Sequence, residues 1–279
     1  MELSWLQSII IGLISGIAEV LPVSARAHRL LLLKMFGVGG EGAILRLLVH
    51  ISVAAALYFC CRSHLMRMLR AQRIARIPKK RRKRPLDSEG LTDFSLLKTA
   101  LIPVILAFLL YSKISVLVGK PVYIAALLMV NGFILYIPQY LPGSNKTSGA
   151  MTRIDALFFG LGGALATLPG ISCIGSTVSI ASVRGMDLKK ALNLALLLNI
   201  AMNIGFAVFD LMELLGGGGG SISFSQLLSS ILAGITAFAG VILGIRVLHK
   251  ITENIGYSVF GFYSWGMALL TFILFLAAV

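Results

Sequence analysis

Two stretches of this sequence gather polar and ionisable side chains within apolar surroundings. The first, AEVLPVSARAH, runs from Ala18 to His28 and follows a dozen mostly apolar residues. It supplies a carboxylate (Glu19), a hydroxyl (Ser24), a guanidinium (Arg26) and an imidazole (His28). Ser24 and His28 are four apart and so share one face of a helix restarting after Pro22. Such a set can handle an anion. His28 or Ser24 attacks or activates the attack, Glu19 orients the base or binds a divalent cation (Mg or Ca), and Arg26 takes up developing charge. Taken singly, Ser24 has a plainer use as the N-cap of the restarted helix, and Arg26 could snorkel to the surface. Glu19 and His28 have no such plain use, because ionisable groups at membrane depth are costly and usually serve a site.

The second stretch, TLPGISCIGSTVS, runs from Thr167 to Ser179. Gly170 and Gly175 permit close backbone approach, Ser172, Ser176 and Thr177 add hydroxyls, and free amides at a helix start make a phosphate cradle. The competing reading is a kinked helix whose Ser and Thr bond back to their own carbonyls.

The elements that must hold these residues are membrane helices. Of 279 residues, 57% are hydrophobic and 13% charged, and the mean hydropathy is +0.91, a balance that excludes a water-soluble domain. The net charge of +14 does not point to nucleic acid. Of 25 Lys and Arg, 11 lie between Arg62 and Arg84, directly after an apolar run and without interleaved aromatic platforms. That pattern predicts a cytoplasmic segment held against anionic membrane lipids. Cys60, Cys61 and Cys173 have neither disulfide nor metal spacing. No cleavable signal is expected, since the first apolar run lacks a basic start and a small-residue cleavage site.

About twenty apolar residues span a bilayer. Full spans are expected at Ala43 to Cys61, Phe94 to Ser112, Pro121 to Tyr140, Ala191 to Leu215, Phe224 to Ile245 and Tyr257 to Val279. Trp5 to Phe36 and Ile154 to Val183 are each interrupted by Leu-Pro and a polar cluster, which predicts re-entrant half-helices. With the loop from Arg62 to Thr92 inside, the segments 141–153, 184–190 and 246–256 are inside too, and the four carry 18 of the 25 basic residues. Gly216 to Gly220 reads as an outer linker. The two breaks then enter from opposite faces, and GIAEVLP (Gly16 to Pro22) aligns with GALATLP (Gly163 to Pro169) at an offset of 147 residues. The chain is expected to be one membrane domain, 1–279. Its halves, 1–140 and 141–279, are inverted repeats that bring two helix starts to a shared anion site.

Other polar residues in the spans are Arg46 and His50, four apart and able to line that site, and Asn199 and Asn203, expected to link helices. Asp210 and Glu213 near a helix end read as interfacial.

These two stretches resemble the paired motifs of the bacitracin-resistance, or undecaprenyl-diphosphate phosphatase, family, E-G-x-x-E-F-L-P-V-S-S-T-G-H and P-G-x-S-R-S-G-x-T. Order, separation and apolar pattern agree over essentially the whole chain, and HISVAAALYF from His50 is similar to the segment after the first motif. The resemblance implies an all-α polytopic protein of the bacterial plasma membrane that removes the terminal phosphate of a C55 polyprenyl diphosphate. It implies catalytic roles for Glu19, Ser24 and His28, joined here by Arg26. The phosphate would be bound by Gly170, Ser172, Gly175 and Thr177 of the second motif, with Ser176, Arg46 and His50 added from the reading of the residues above, and Glu19 would be the metal ligand if there is one. A homodimer is open to it. Ser15, Ala25, Arg26 and Ala27 replace E, S, T and G of the first motif, and Cys173 and Ile174 replace R and S of the second. A diphosphate phosphatase needs cationic donors, so Arg26 or Arg46 would have to supply the missing guanidinium. The other readings are a non-catalytic relative that binds or moves polyprenyl phosphates, and a lipid-binding scaffold.

Overall fold

The computed structural model describes residues 3–113, 121–140, 146, 150–217, 222–254 and 256–276. Most of the segment 141–153, residues 218–220 of the glycine run and the last three residues of the final expected span lie outside them. The architecture is all helical: α1 (Trp5–Val20), α2 (Ala25–Met35), α3 (Ala43–Ala75), α4 (Ser88–Leu109), α5 (Pro121–Tyr136), α6 (Arg153–Leu165), α7 (Cys173–Val183), α8 (Leu188–Leu215), α9 (Phe224–Asn254) and α10 (Val259–Leu276).

Local chemistry sets the boundaries. Ser4 with Gln7 and Thr152 with Asp155 form reciprocal capping boxes at the starts of α1 and α6. Asp87, Ser24, Ser172 and Asp187 each accept a backbone N–H at the starts of α4, α2, α7 and α8. Both Leu-Pro breaks therefore end one helix and open another with a serine cap.

Five helices are long and apolar enough to cross a membrane: α3, α4, α5 with its 3-10 extension to Tyr140, α8 and α9. α10, at the expected sixth span, is a shorter apolar helix within the described residues. Large apolar side chains such as Ile105, Leu109, Phe133 and Ile235 point outward, more than half exposed, as a lipid-facing surface requires.

The basic segment from Arg62 differs from the expected loop, because α3 runs on as helix to Ala75. The stretch CRSHLMRMLRAQRIA contains neither Pro nor Gly, and Met68 and Ala71 on one face are buried. The charges occupy the other face, so charge density here marks an amphipathic helix. Ion pairs gather the basic segments: Lys190 Nζ lies 2.7 Å from Glu89 and from Asp93, and Lys189 reaches Glu253 at 3.8 Å.

The helices pack in pairs. α1 packs along α9 as α6 packs along α4, α3 lies against α8, α5 lies against α10, and α1–α2 and α6–α7 form the two broken hairpins. Gly12 and Gly16 bring α1 against the Ala233 and Ala237 carbonyls of α9, while Gly240 and Gly244 receive α1 in return. Small residues at this spacing let membrane helices approach to backbone contact.

Candidate functional site

The two breaks meet. Ser24 caps α2 by accepting from the Ala27 N–H (3.4 Å), and the same Oγ accepts the Gly170 N–H from the second break (3.0 Å). In return, Ser172 Oγ donates to the Leu21 carbonyl (3.3 Å) while accepting the Gly175 N–H (3.1 Å). Gly170 reaches this position with φ of +121°, a conformation that disfavours a side chain.

Between the breaks lies a cavity of about 20 Å³ lined by Glu19, Val23, Ser24, Ala25, Arg26, His50, Ala166, Ile171, Ser172, Cys173 and Phe206. That is room for roughly one water molecule. Glu19 reaches it from the end of α1, held by Asn203 Nδ2 on Oε1 (3.0 Å), while Asn199 Nδ2 donates to its backbone carbonyl (3.0 Å). The two asparagines thus join α8 to α1. Arg26 crosses from the first break to the second: Nη1 donates to the Thr167 carbonyl (2.9 Å) and Nη2 to the Tyr111 hydroxyl (2.5 Å). Its guanidinium carbon lies 5.0 Å from the centre of the Phe206 ring, a cation–π contact. Arg26 and Cys173 therefore line one cavity from opposite breaks.

His28 does not line it. Nδ1–H donates to the Ser24 carbonyl (2.7 Å), and Nε2 faces the Tyr263 hydroxyl (2.7 Å), with the rings stacked 5.6 Å apart. His28 and Tyr263 instead line an apolar groove of about 470 Å³ between α1, α2, α9 and α10. The four-residue spacing brings His28 to the Ser24 carbonyl and not to its hydroxyl.

Ser176 Oγ donates to the Gly162 and Ser172 carbonyls (both 2.6 Å), the back-bonded arrangement that competed with the cradle. Gly175, Ser176 and Thr177 are not among the lining residues. They support the turn that Ser172 opens.

Arg46 is engaged elsewhere. Nε donates to Asp210 Oδ1 (2.8 Å), Nη2 to Glu213 (2.5 Å) and Nη1 to the Glu41 carbonyl (2.6 Å). Asp210 is correspondingly buried, contrary to the interfacial placement expected from its position near a helix end. Its pairing with Arg46 and His50 offsets what an isolated buried carboxylate would cost. Glu213 keeps the exposed position expected of it.

Sequence reasoning passed over several supports. Asn131, fully buried in α5, accepts the Ser172 N–H on Oδ1 (2.9 Å) and donates to Ser264 (3.1 Å). Arg29, fully buried, pairs with Glu41. A lone amide or guanidinium inside an apolar run is the signal that could have found both. Tyr111 and Phe206 carry no such signal.

Among the described residues no group of three or more His, Cys, Asp or Glu could hold a metal ion. Among the described residues Glu19 is the single carboxylate lining the cavity. This donor set does not cage a divalent cation, which takes several oxygen ligands.

A sequence profile of the family described as bacitracin resistance protein BacA matches residues 8–270. Undecaprenyl-diphosphatase 1 of Shouchella clausii is 27% identical over 279 residues, covering 97% of this chain and 96% of that protein. The undecaprenyl-diphosphatase of Methanobrevibacter smithii is 28% identical, covering 96% of each chain. The Nocardioides sp. undecaprenyl-diphosphatase is 30% identical over 213 residues, 76% of this chain and 77% of its own.

Proposed function

The chain belongs to the BacA family of bacitracin resistance proteins, and from that membership we propose that it removes the terminal phosphate of undecaprenyl diphosphate, returning the lipid monophosphate to cell-wall synthesis. One observation carries the reading beyond the names of its relatives: two serine-capped helix breaks, 146 residues apart at the Ser24–Gly170 bond, close on a cavity holding a carboxylate and a guanidinium. Helix starts and a cation together form an anion site.

Each group has a role its bonds support. Both acceptor positions of Ser24 Oγ are taken by backbone N–H groups, so its O–H is a donor for a phosphate oxygen and a poor nucleophile. Arg26 exchanges the Thr167 carbonyl for the terminal phosphoryl group and stabilises charge as it develops, the part the family motif gives to the position of Cys173. Glu19, fixed by Asn203, orients the attacking group. Ser172 and the Gly170 turn hold the second wall. His28 positions α2 through the Ser24 carbonyl. No step here depends on a divalent cation.

We also read α10 as a sixth span, the two halves as inverted repeats around the breaks, and the location as the bacterial plasma membrane. The matched helix pairings of the halves support this. The basic face of α3 and the segment to Arg84 would rest on anionic lipid.

The test is phosphate release from C55 diphosphate by the purified protein in detergent, with and without divalent cation, beside Arg26→Ala. Release lost in the variant supports the reading. A protein that binds the lipid and releases nothing is a carrier, and the hydrolytic reading fails.

A further inference from the structure

The cavity contains an imidazole, and it is not the one in the first motif. His50 lines it from α3, is 3% exposed, and sits beside Glu19, Ser24, Arg26 and Ser172. We propose that His50 is the general base of this site, with Asp210 as its positioning residue. This rests on the hydrolytic reading above and goes beyond it, since that reading leaves the attacking water without a base.

The tautomer follows from its neighbours. Asp210 Oδ2 lies 2.7 Å from Nδ1 and, as a carboxylate, only accepts. Arg29 Nη2 lies 3.4 Å from Nε2 and only donates. Both require the hydrogen on Nδ1 and the lone pair on Nε2. Asp210 is itself fixed by Arg46 on its other oxygen (2.8 Å). The result is a carboxylate–imidazole pair clamped from behind, the arrangement that orients a catalytic histidine. The Arg29 contact to Nε2 is at the outer limit of a hydrogen bond, and Arg29 keeps Glu41 on its Nε. A water in the cavity therefore competes with Arg29 Nη2 for the Nε2 lone pair.

The surroundings can accept the charge that results. Around His50 stand Arg29 and Arg26 from α2, Arg46 from its own helix, Glu19 from α1 and Asp210 from α8, with Glu41 paired to Arg29 and Glu213 to Arg46, while Phe206 stacks on the ring at 5.2 Å. Asp210 on Nδ1 and Glu19 at the same cavity are the carboxylates that favour a charge on His50, and Arg29 is the cation that opposes it. Among the described residues His28 has no carboxylate partner; its ring bonds are to the Ser24 carbonyl and Tyr263.

In the step, the oxygen of a water bonds to the terminal phosphorus and its proton passes to His50 Nε2. The bond from that phosphorus to the bridging oxygen breaks, and the bridging oxygen leaves on the lipid monophosphate with its electron pair. Inorganic phosphate is the second product, and His50 returns the proton to solvent. No other reactant enters.

The experiment is the pH profile of kcat for C55 diphosphate hydrolysis by the full chain in detergent, in wild type, His50→Gln, Asp210→Asn and His28→Gln, with imidazole added to His50→Gly. The expected results are a fall in kcat of roughly 100-fold or more in His50→Gln, the scale of general-base catalysis, and loss of its acidic limb. That limb persists in His28→Gln whatever its rate, shifts in Asp210→Asn, and imidazole restores turnover to His50→Gly. Binding of C55 monophosphate by each variant shows that it is folded. A folded His50→Gln that retains the acidic limb, or a His50→Gly that imidazole does not rescue, overturns the proposal. A wild-type protein that binds the lipid without hydrolysing it overturns the hydrolytic reading and this proposal with it.

Discussion

The Gly170 N–H donates to Ser24 Oγ at 3.0 Å, tying the first helix break to the second through a single buried oxygen. Because that oxygen also caps α2, one side chain sets both the start of a helix and the spacing of the cavity walls. Ser24→Ala should therefore lose more than a cap. Removal of an N-cap costs about 1 kcal/mol, and the stranded Gly170 amide adds about 1–3 kcal/mol. The expected outcome is a clear fall in Tm in detergent together with lost phosphate release, while Ser24→Thr, which keeps the oxygen, recovers most of the Tm. Equal Tm values for Ser24→Ala and wild type would show that the bond between the breaks is not holding them.

Arg26 and Cys173 line the same cavity from opposite sides, and this permits a swap. Arg26→Ala should reduce kcat by roughly 100-fold or more, the scale of removing one charge-stabilising donor. Arg26→Lys should do little better, because a lysine cannot reproduce the forked reach to Thr167 and Tyr111. If the guanidinium has simply moved between motifs, Cys173→Arg in the Arg26→Ala background returns part of the lost activity. The comparison is kcat for the single and double variants, and a double variant no faster than Arg26→Ala sinks the idea.

What could be read from the sequence was punctuation. Leu21-Pro22 and Leu168-Pro169 interrupt apolar runs, and Ser24 stands where a restarting helix needs a cap, so both breaks and that cap were legible, whereas the cap at Ser172 was hidden among the hydroxyls around it. Rotation was not. Spacing put Ser24 and His28 on one face, but only packing against α10 turns His28 to Tyr263 and leaves His50 at the cavity. Long-range pairing was equally hidden: Asp210 sits near a helix end in sequence, yet its partners Arg46 and His50 are 164 and 160 residues away. The charge count from Arg62 to Arg84 outweighed the helical period of Met68 and Ala71, so a helix was read as a loop.

Close helix approach at α1 and α9 gives a stability prediction independent of chemistry. A Cβ on Gly16 would be driven into the Ala237 carbonyl and the Val241 backbone amide, atoms that cannot move aside without shifting α9. Overpacking of this kind costs about 1–3 kcal/mol, so Gly16→Ala should lower Tm, and Gly16→Leu should lower it further or abolish folding. Gly40→Ala serves as the control, because nothing lies within 4 Å of its added carbon. A change within about 0.5 kcal/mol is expected there. Thermal unfolding of the three variants in one detergent decides it, and a Gly16→Ala protein as stable as Gly40→Ala would contradict the packing.

Acid should loosen the basic end of the molecule first. Asp87 is held below the usual carboxylate range by the hydrogen bond from Arg67 (2.6 Å) and then by the Gly90 N–H (2.9 Å). Glu89 is lowered by Lys190 (2.7 Å) and then by Arg67 (2.9 Å). A carboxyl lowered on folding stabilises the fold above its unfolded value and loses that contribution as pH falls through its folded value. The window here therefore opens near the ordinary values of 3.8 and 4.5 and extends downward. Glu89 is exposed and Asp87 half-buried at the surface, so the effect is modest and salt-sensitive. The expected observation is that protease cleavage between α3 and α4 rises as pH drops below that range, and that Asp87→Asn shows the raised cleavage already at neutral pH, since it removes the charge that Arg67 pairs with. Cleavage independent of pH in wild type and unchanged in Asp87→Asn would mean that these ion pairs do not fasten the end of α3 to the start of α4.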